Sequence, residues 1–147
     1  MISFKLDDRE VQKVLQALSR GLKDFKPALK EASQVQLTTV DKQFSTEGEE
    51  ITGKWAALSQ KTIKSRIAAG YGAGPILTAS GKMRRSVKQQ RFTANELNIG
   101  SNNANFKYHQ TGTRKTPQRQ ILGHSKAMTD KVVEIASRYI TNLLKNG

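Results

Sequence analysis

Residues 53–66 read GKWAALSQKTIKSR. The stretch holds the only tryptophan of the chain, Trp55, close to Gly53 and four residues ahead of Ser59, whose side chain is of the type that caps a helix by accepting a backbone N–H. Loop is therefore expected to give way to helix at Ser59. The helix should run through Arg66 and stop before the glycines of GYGAGP, residues 70–75. The preceding segment, STEGEEITGKWAAL at 45–58, has two glycines, three glutamates and no apolar period, and reads as an extended loop. A lone tryptophan in such a loop serves as an anchor, packing the loop onto its own body or onto a neighbouring subunit.

Working toward the N-terminus, Pro27 suits the first position of a helix, and Leu29, Ala32, Leu37, Val40 and Phe44 give it a loose apolar face ending near Gly48. Ahead of it, Asp7 and Glu10 have capping-box spacing, and Val11, Val14, Leu15 and Leu18 repeat at helical intervals until Gly21. Toward the C-terminus, Thr78 or Ser80 is placed to cap a short helix leading into a strand near SVKQQRF. ELNIGS supplies a partner strand, with a turn at 93–95. The stretch FKYHQTGTRKTPQRQILG is loop-like apart from a helical turn at 105–110. Val132, Val133, Ile135, Ala136, Tyr139, Ile140, Leu143 and Leu144 then form the broad apolar face of a last helix, with Ser125 or Thr129 as its cap.

The expected architecture is a single α+β domain over residues 1–147, with N-terminal helices and a C-terminal helix packed on a small antiparallel sheet. Long flexible loops connect these parts, and no internal repeat is visible. At 147 residues, the chain can bury a real but modest core. It has no cysteine, which excludes disulfides and thiolate chemistry. No apolar run reaches the roughly 20 residues needed to span a bilayer, and MISFKLDDRE lacks the pattern of a signal peptide, so a soluble, non-secreted protein with no membrane partner is expected.

Charge is unevenly placed along the chain. The net charge is +13, yet residues 1–60 hold nine basic and nine acidic residues and balance to zero. Residues 61–126 hold thirteen Lys and Arg against Glu96 alone, a net of +12. Such a block attracts polyanions or acidic protein surfaces. Lys82, Arg84, Arg85, Lys88 and Arg91 form one basic group, and Arg114, Lys115 and Arg119 a second; a binding role is favoured over a merely solvated face. No helix reads as a recognition helix for DNA, and the predicted sheet lacks the aromatics that stack on RNA bases.

Catalytic and metal chemistry find little support. His109 and His124 lie in different contexts, neither with a second ligand at coordinating spacing. EGEE at 47–50 reads as a solvated acidic loop, and GYGAGP lacks the Lys–Ser/Thr pair of a phosphate-binding loop. No enzyme activity, metal or cofactor is expected.

Phe44, Glu47, Gly48, Gly53, Trp55, Leu58, Ser59, Thr62 and Arg66 together resemble the F–EG–G–W–LS–T–R run of the tailed-phage virion morphogenesis family, which includes tail-completion proteins of contractile-tailed phages. The similarity continues in order through Ile76–Leu77, Ser80–Gly81–Lys82–Met83, Arg85–Ser86–Val87 and Gly100–Ser101, then through Tyr108–His109–Gln110 with Gly112, and Ile121–Leu122–Gly123. It covers most of residues 44–145, with departures at 103–107 and 116–120.

The resemblance implies a structural protein that completes the tail and joins it to the head as a homo-oligomeric ring, in contact with other tail or connector proteins. It implies location in the virion, and in the host cytoplasm during assembly. On this reading Trp55, Arg66, Lys82, Arg84, Arg85, Tyr108 and His109 are interface candidates, and the loops at 45–58, 68–76 and 102–120 order on docking. Lys88, Arg91, Arg114, Lys115 and Arg119 would face a polyanion, either DNA in the channel or acidic neighbours. His109 would pack in a turn, and Gly112 would supply a positive-φ position. The alternative is a nucleic-acid-binding protein without sequence specificity, acting through residues 61–126.

Overall fold

The computed structural model describes residues 8–146, apart from the side chains of Asp8, Glu10 and Val11. The capping pair of Asp7 and Glu10 lies outside what is described. In chain order the elements are α1 (Asp8–Leu22), α2 (Lys26–Ser45), α3 (Gln60–Ala68), α4 (Lys82–Ser86), β1 (Val87–Phe92), β2 (Leu97–Ser101), α5 (Phe106–Thr111) and α6 (Lys126–Lys145). The fold is α+β, as expected.

Local chemistry accounts for most of the boundaries. Pro27 sits in the first turn of α2, where its missing N–H costs nothing. Ser59 caps α3 by accepting the N–H of Thr62 at 3.2 Å, and Ser125 caps α6 by accepting that of Met128 at 3.1 Å. The short helix α4 departs from expectation, since its cap is Gly81, at φ 69°. Thr78 instead donates its hydroxyl to the Pro75 carbonyl at 3.0 Å, and Ser80 accepts only a long bond of 3.4 Å from the Lys82 N–H. The hairpin pairs Val87 with Ser101, Gln89 with Ile99 and Phe92 with Leu97, with a register irregularity between Gln89 and Arg91.

The helix α6 packs against both α1 and α2, and α2 also packs against both strands. Tyr139 fixes the turn between α1 and α2. Its hydroxyl donates to the Asp24 carbonyl at 2.6 Å, and its ring meets Phe25 at 5.3 Å between centroids. An ion pair between Arg138 and Glu31 ties α6 to α2. The apolar face of α6 is broader than its partners can cover, and Val133 and Leu144 remain exposed.

The central core joins Val40 and Phe44 of α2 to Phe106 of α5 and to three residues outside regular structure, Trp55, Ile76 and Ile121. Loops therefore supply half of it. The segment read as extended is instead wound into consecutive turns over residues 46–53. Gly48, at φ +108°, makes the winding possible: its carbonyl accepts the N–H groups of Thr52 and Gly53, each at 3.0 Å. A Cβ at this position would overlap the Gly53 carbonyl and the Trp55 indole.

Candidate functional site

Five of the positions singled out in the sequence, Arg66, Lys82, His109, Lys115 and Arg119, line one groove. In the last turn of α3, Arg66 turns inward and donates from Nη1 to the Pro75 carbonyl at 3.0 Å. The side chain is 9% exposed, and its Nε and Nη2 atoms are buried with no hydrogen-bond partner among the described residues.

Opposite wall residues come from α5 and the turn after it. Gly112 ends α5 at φ +75°, and a Cβ there would come within 3.0 Å of the Gln118 backbone nitrogen, so a glycine lets the chain fold back. The returning strand of the turn is held by the Arg119 N–H donating to the His109 carbonyl at 2.8 Å. The neighbouring Gln110 clasps the next residues: its Oε1 accepts the N–H groups of Ile121 and Leu122, both at 2.9 Å, while its Nε2 donates to the Leu122 carbonyl at 2.7 Å.

Arg119 thereby lies inside, 5% exposed, donating from Nε to Ala56 at 2.9 Å and from Nη2 to Ala57 at 3.0 Å. This corrects the expectation that it faces a polyanion, because its guanidinium is engaged in holding the loop before α3. His109 is half-buried, with Nδ1 unpartnered among the described residues. Burial, reinforced by the charge of Arg119, lowers its pKa from the usual 6.5, so the ring is neutral at pH 7.

Between these walls lies an open cavity of about 660 Å³, to which Arg66, Lys82, His109, Lys115 and Arg119 contribute. No carboxylate lines it. Its basic side chains give the cavity a positive lining. Among the described residues, no three His, Asp or Glu side chains gather to hold a metal ion, and no helix is long and apolar enough to cross a membrane.

The remaining candidates lie elsewhere. Trp55 is 5% exposed, stacked edge-on against Phe44 at 5.7 Å, and acts as an internal anchor. Arg84 pairs with Asp41 at 2.6 Å and donates to the Ser45 hydroxyl at 3.0 Å, fastening α4 to α2. Arg85 donates to the Ser80 carbonyl at 3.0 Å, and Arg91 pairs with Glu96 at 3.2 Å. Lys88 and Arg114 are exposed. Tyr108 is 45% exposed, with the Lys107 ammonium 5.0 Å from its ring centre.

A family model for phage virion morphogenesis proteins matches residues 6–141. The chain belongs to the phage virion morphogenesis family. No curated protein and no solved structure matches it. The match extends over α1 and α2 as well as the region where the resemblance was legible. Within this virion morphogenesis protein, the sequence motifs turn out to be contacts: the EG pair shapes the turn under Trp55, and the Gln and Gly of the HQ–G element build the groove wall. Sequence reading missed Gln43, a fully buried side chain of α2 whose Nε2 donates to the Gln120 carbonyl at 2.8 Å and whose Oε1 accepts the Ile51 N–H at 2.9 Å. Its only signal was its place beside Phe44 of the family run.

Proposed function

We propose that this phage structural protein completes the tail and permits its joining to the head, with copies of the chain closing into a ring. Family membership supports a structural or assembly role in the phage particle. The observation that carries the finer reading is the apolar surface left uncovered on α1 and α6. Leu15 and Leu22, seven residues apart on one line of α1, are 57% and 41% exposed; Val133 and Leu144, eleven apart on one line of α6, are 59% and 43% exposed. Exposed apolar lines of this kind suit contacts between copies, and a repeated heterologous contact closes into a ring when its rotation allows. The protein would act by assembly in the host cytoplasm and remain in the virion, with Lys88 and Arg114 facing DNA in the channel or acidic neighbouring proteins.

The test is a phage carrying Val133→Asp together with Leu144→Asp. Under this reading it yields particles without completed tails, while the purified variant keeps its helical spectrum. Charge reversal at Arg85, exposed in α4, is expected to act in the same direction. Normal infectious particles from these variants would contradict the reading. Against it stands non-specific nucleic-acid binding, favoured by the net charge of +12 over residues 61–126. That alternative calls for steeply salt-dependent DNA binding by the monomer. The engagement of Arg84, Arg91 and Arg119 within the chain leaves fewer free cations to support it.

A further inference from the structure

We infer that the groove bounded by α3, α5 and the 113–119 turn receives the exposed face of α6 from a second copy of the chain. The inference rests on the ring reading above and names the two unlike surfaces of its contact, a recess on one copy and a helix face on the next.

The helix face has a distinctive composition. Asp130, Val133, Glu134 and Ser137 follow the i, i+3, i+4, i+7 spacing of one side of a helix, and all four are exposed. Val133, 59% exposed, is thus an apolar side chain set among carboxylates. Asp130 pairs with Lys126 at 2.8 Å, whereas Glu134 makes no hydrogen bond or ion pair among the described residues and feels only the charge of Arg138, which Glu31 already holds. Other exposed apolar residues on helices lack such company: Leu15, Leu22, Ile67 and Leu144 have no carboxylate three or four positions away.

The groove is the complement of that face. Lys82 and Lys115 stand exposed on its lining and no carboxylate does, while Leu58, Leu77 and Met83 are only partly buried there. Arg66 and Arg119 are buried and take no part in the contact. The open volume of about 660 Å³ falls within the roughly 300–1,000 Å³ of concave sites. An apolar side chain among carboxylates therefore meets an apolar floor among lysines, in the manner of a helix laid into a groove. Burial of Val133 supplies affinity, and the charges set the register and disfavour groove against groove. Because the recess and the helix face are different surfaces, the contact is heterologous, the kind that repeats around a ring.

The chain has no cysteine, so introduced ones report contacts without background. Val133→Cys and Ala57→Cys, the second at an exposed position of the groove, are purified separately and treated with a short bismaleimide. Their mixture is expected to give a cross-linked pair that neither variant gives alone, and a chain carrying both to give a ladder that ends at the copy number of the ring. Glu134→Lys and Lys115→Glu, both at exposed positions, should each raise the concentration needed for half-assembly about fivefold, and their combination in one chain should bring it back. Rings whose mixture gives no cross-link would overturn the inference and leave the ring reading standing. Cross-linking of Val133→Cys with itself would also overturn it, since like helix faces would then be paired. A wild-type chain that stays monomeric at every concentration, even with purified tails, would remove the ring reading and this inference together.

Discussion

The indole N–H of Trp55 donates to the backbone carbonyl of Gln120 at 3.1 Å, joining two loops 65 residues apart in the chain. The same carbonyl accepts from Gln43 at 2.8 Å, so α2 and both loops meet at one oxygen. Truncation of Trp55 therefore removes core packing as well as a bond. Trp55→Ala is expected to lose about 3–5 kcal/mol of stability in urea unfolding, while Trp55→Phe, which keeps the ring against Phe44, should lose less. Equal stability of wild type and Trp55→Ala would show that the loop is not anchored in this way.

Gly48 and Gly53 offer a paired comparison. Both have positive φ, at +108° and +99°, but a Cβ meets neighbours only at Gly48. Alanine at Gly53 should cost about 1–3 kcal/mol of backbone strain. Alanine at Gly48 should cost more, because the Trp55 indole and the Gly53 carbonyl must move. Matching thermal midpoints for the two variants would contradict the close approach.

Gln110 satisfies two backbone N–H groups and one carbonyl with a single side chain. Gln110→Ala leaves the two N–H groups without their partner, at about 1–3 kcal/mol for each that water cannot reach, while the Leu122 carbonyl keeps its bond from Gln120 Nε2 at 2.8 Å. Amide exchange at Ile121 and Leu122 should accelerate beyond what the global loss of stability explains. Unchanged protection at both amides would show that the clasp is not needed.

His109 predicts a pH dependence. Its folded pKa lies below the unfolded 6.5, so between those values the unfolded chain binds more protons than the folded one. The contribution is thus retained above about pH 6.5 and lost as pH falls toward the folded pKa, below which it levels off. His109→Gln should flatten this part of the stability profile. A histidine signal titrating at or above 6.5 in the folded protein would contradict the burial-driven shift.

The elements legible in the sequence are those whose causes are local. Ser59 and Ser125 cap the helices that follow them, and the hairpin lies nearly where its alternating residues and turn suggest. The groove was legible only in pieces. Arg66, His109 and Arg119 each drew attention, but as one interface basic residue, one turn histidine and one polyanion contact, because their meeting depends on chain reversals at Gly112 and around Trp55. Glutamines that clasp backbone groups are harder still to see. Gln43 and Gln110 have the composition of surface residues, and only the unpaired backbone groups of distant loops give them their role.

The central claim, assembly into a ring, is tested most directly by the native mass of nuclease-treated protein in high salt, with electron micrographs of the same sample. The account predicts a discrete multiple of the 16.3 kDa chain and closed rings in the images, both lost in Val133→Asp with Leu144→Asp. A monomer that forms no ring even when mixed with purified tails would contradict it.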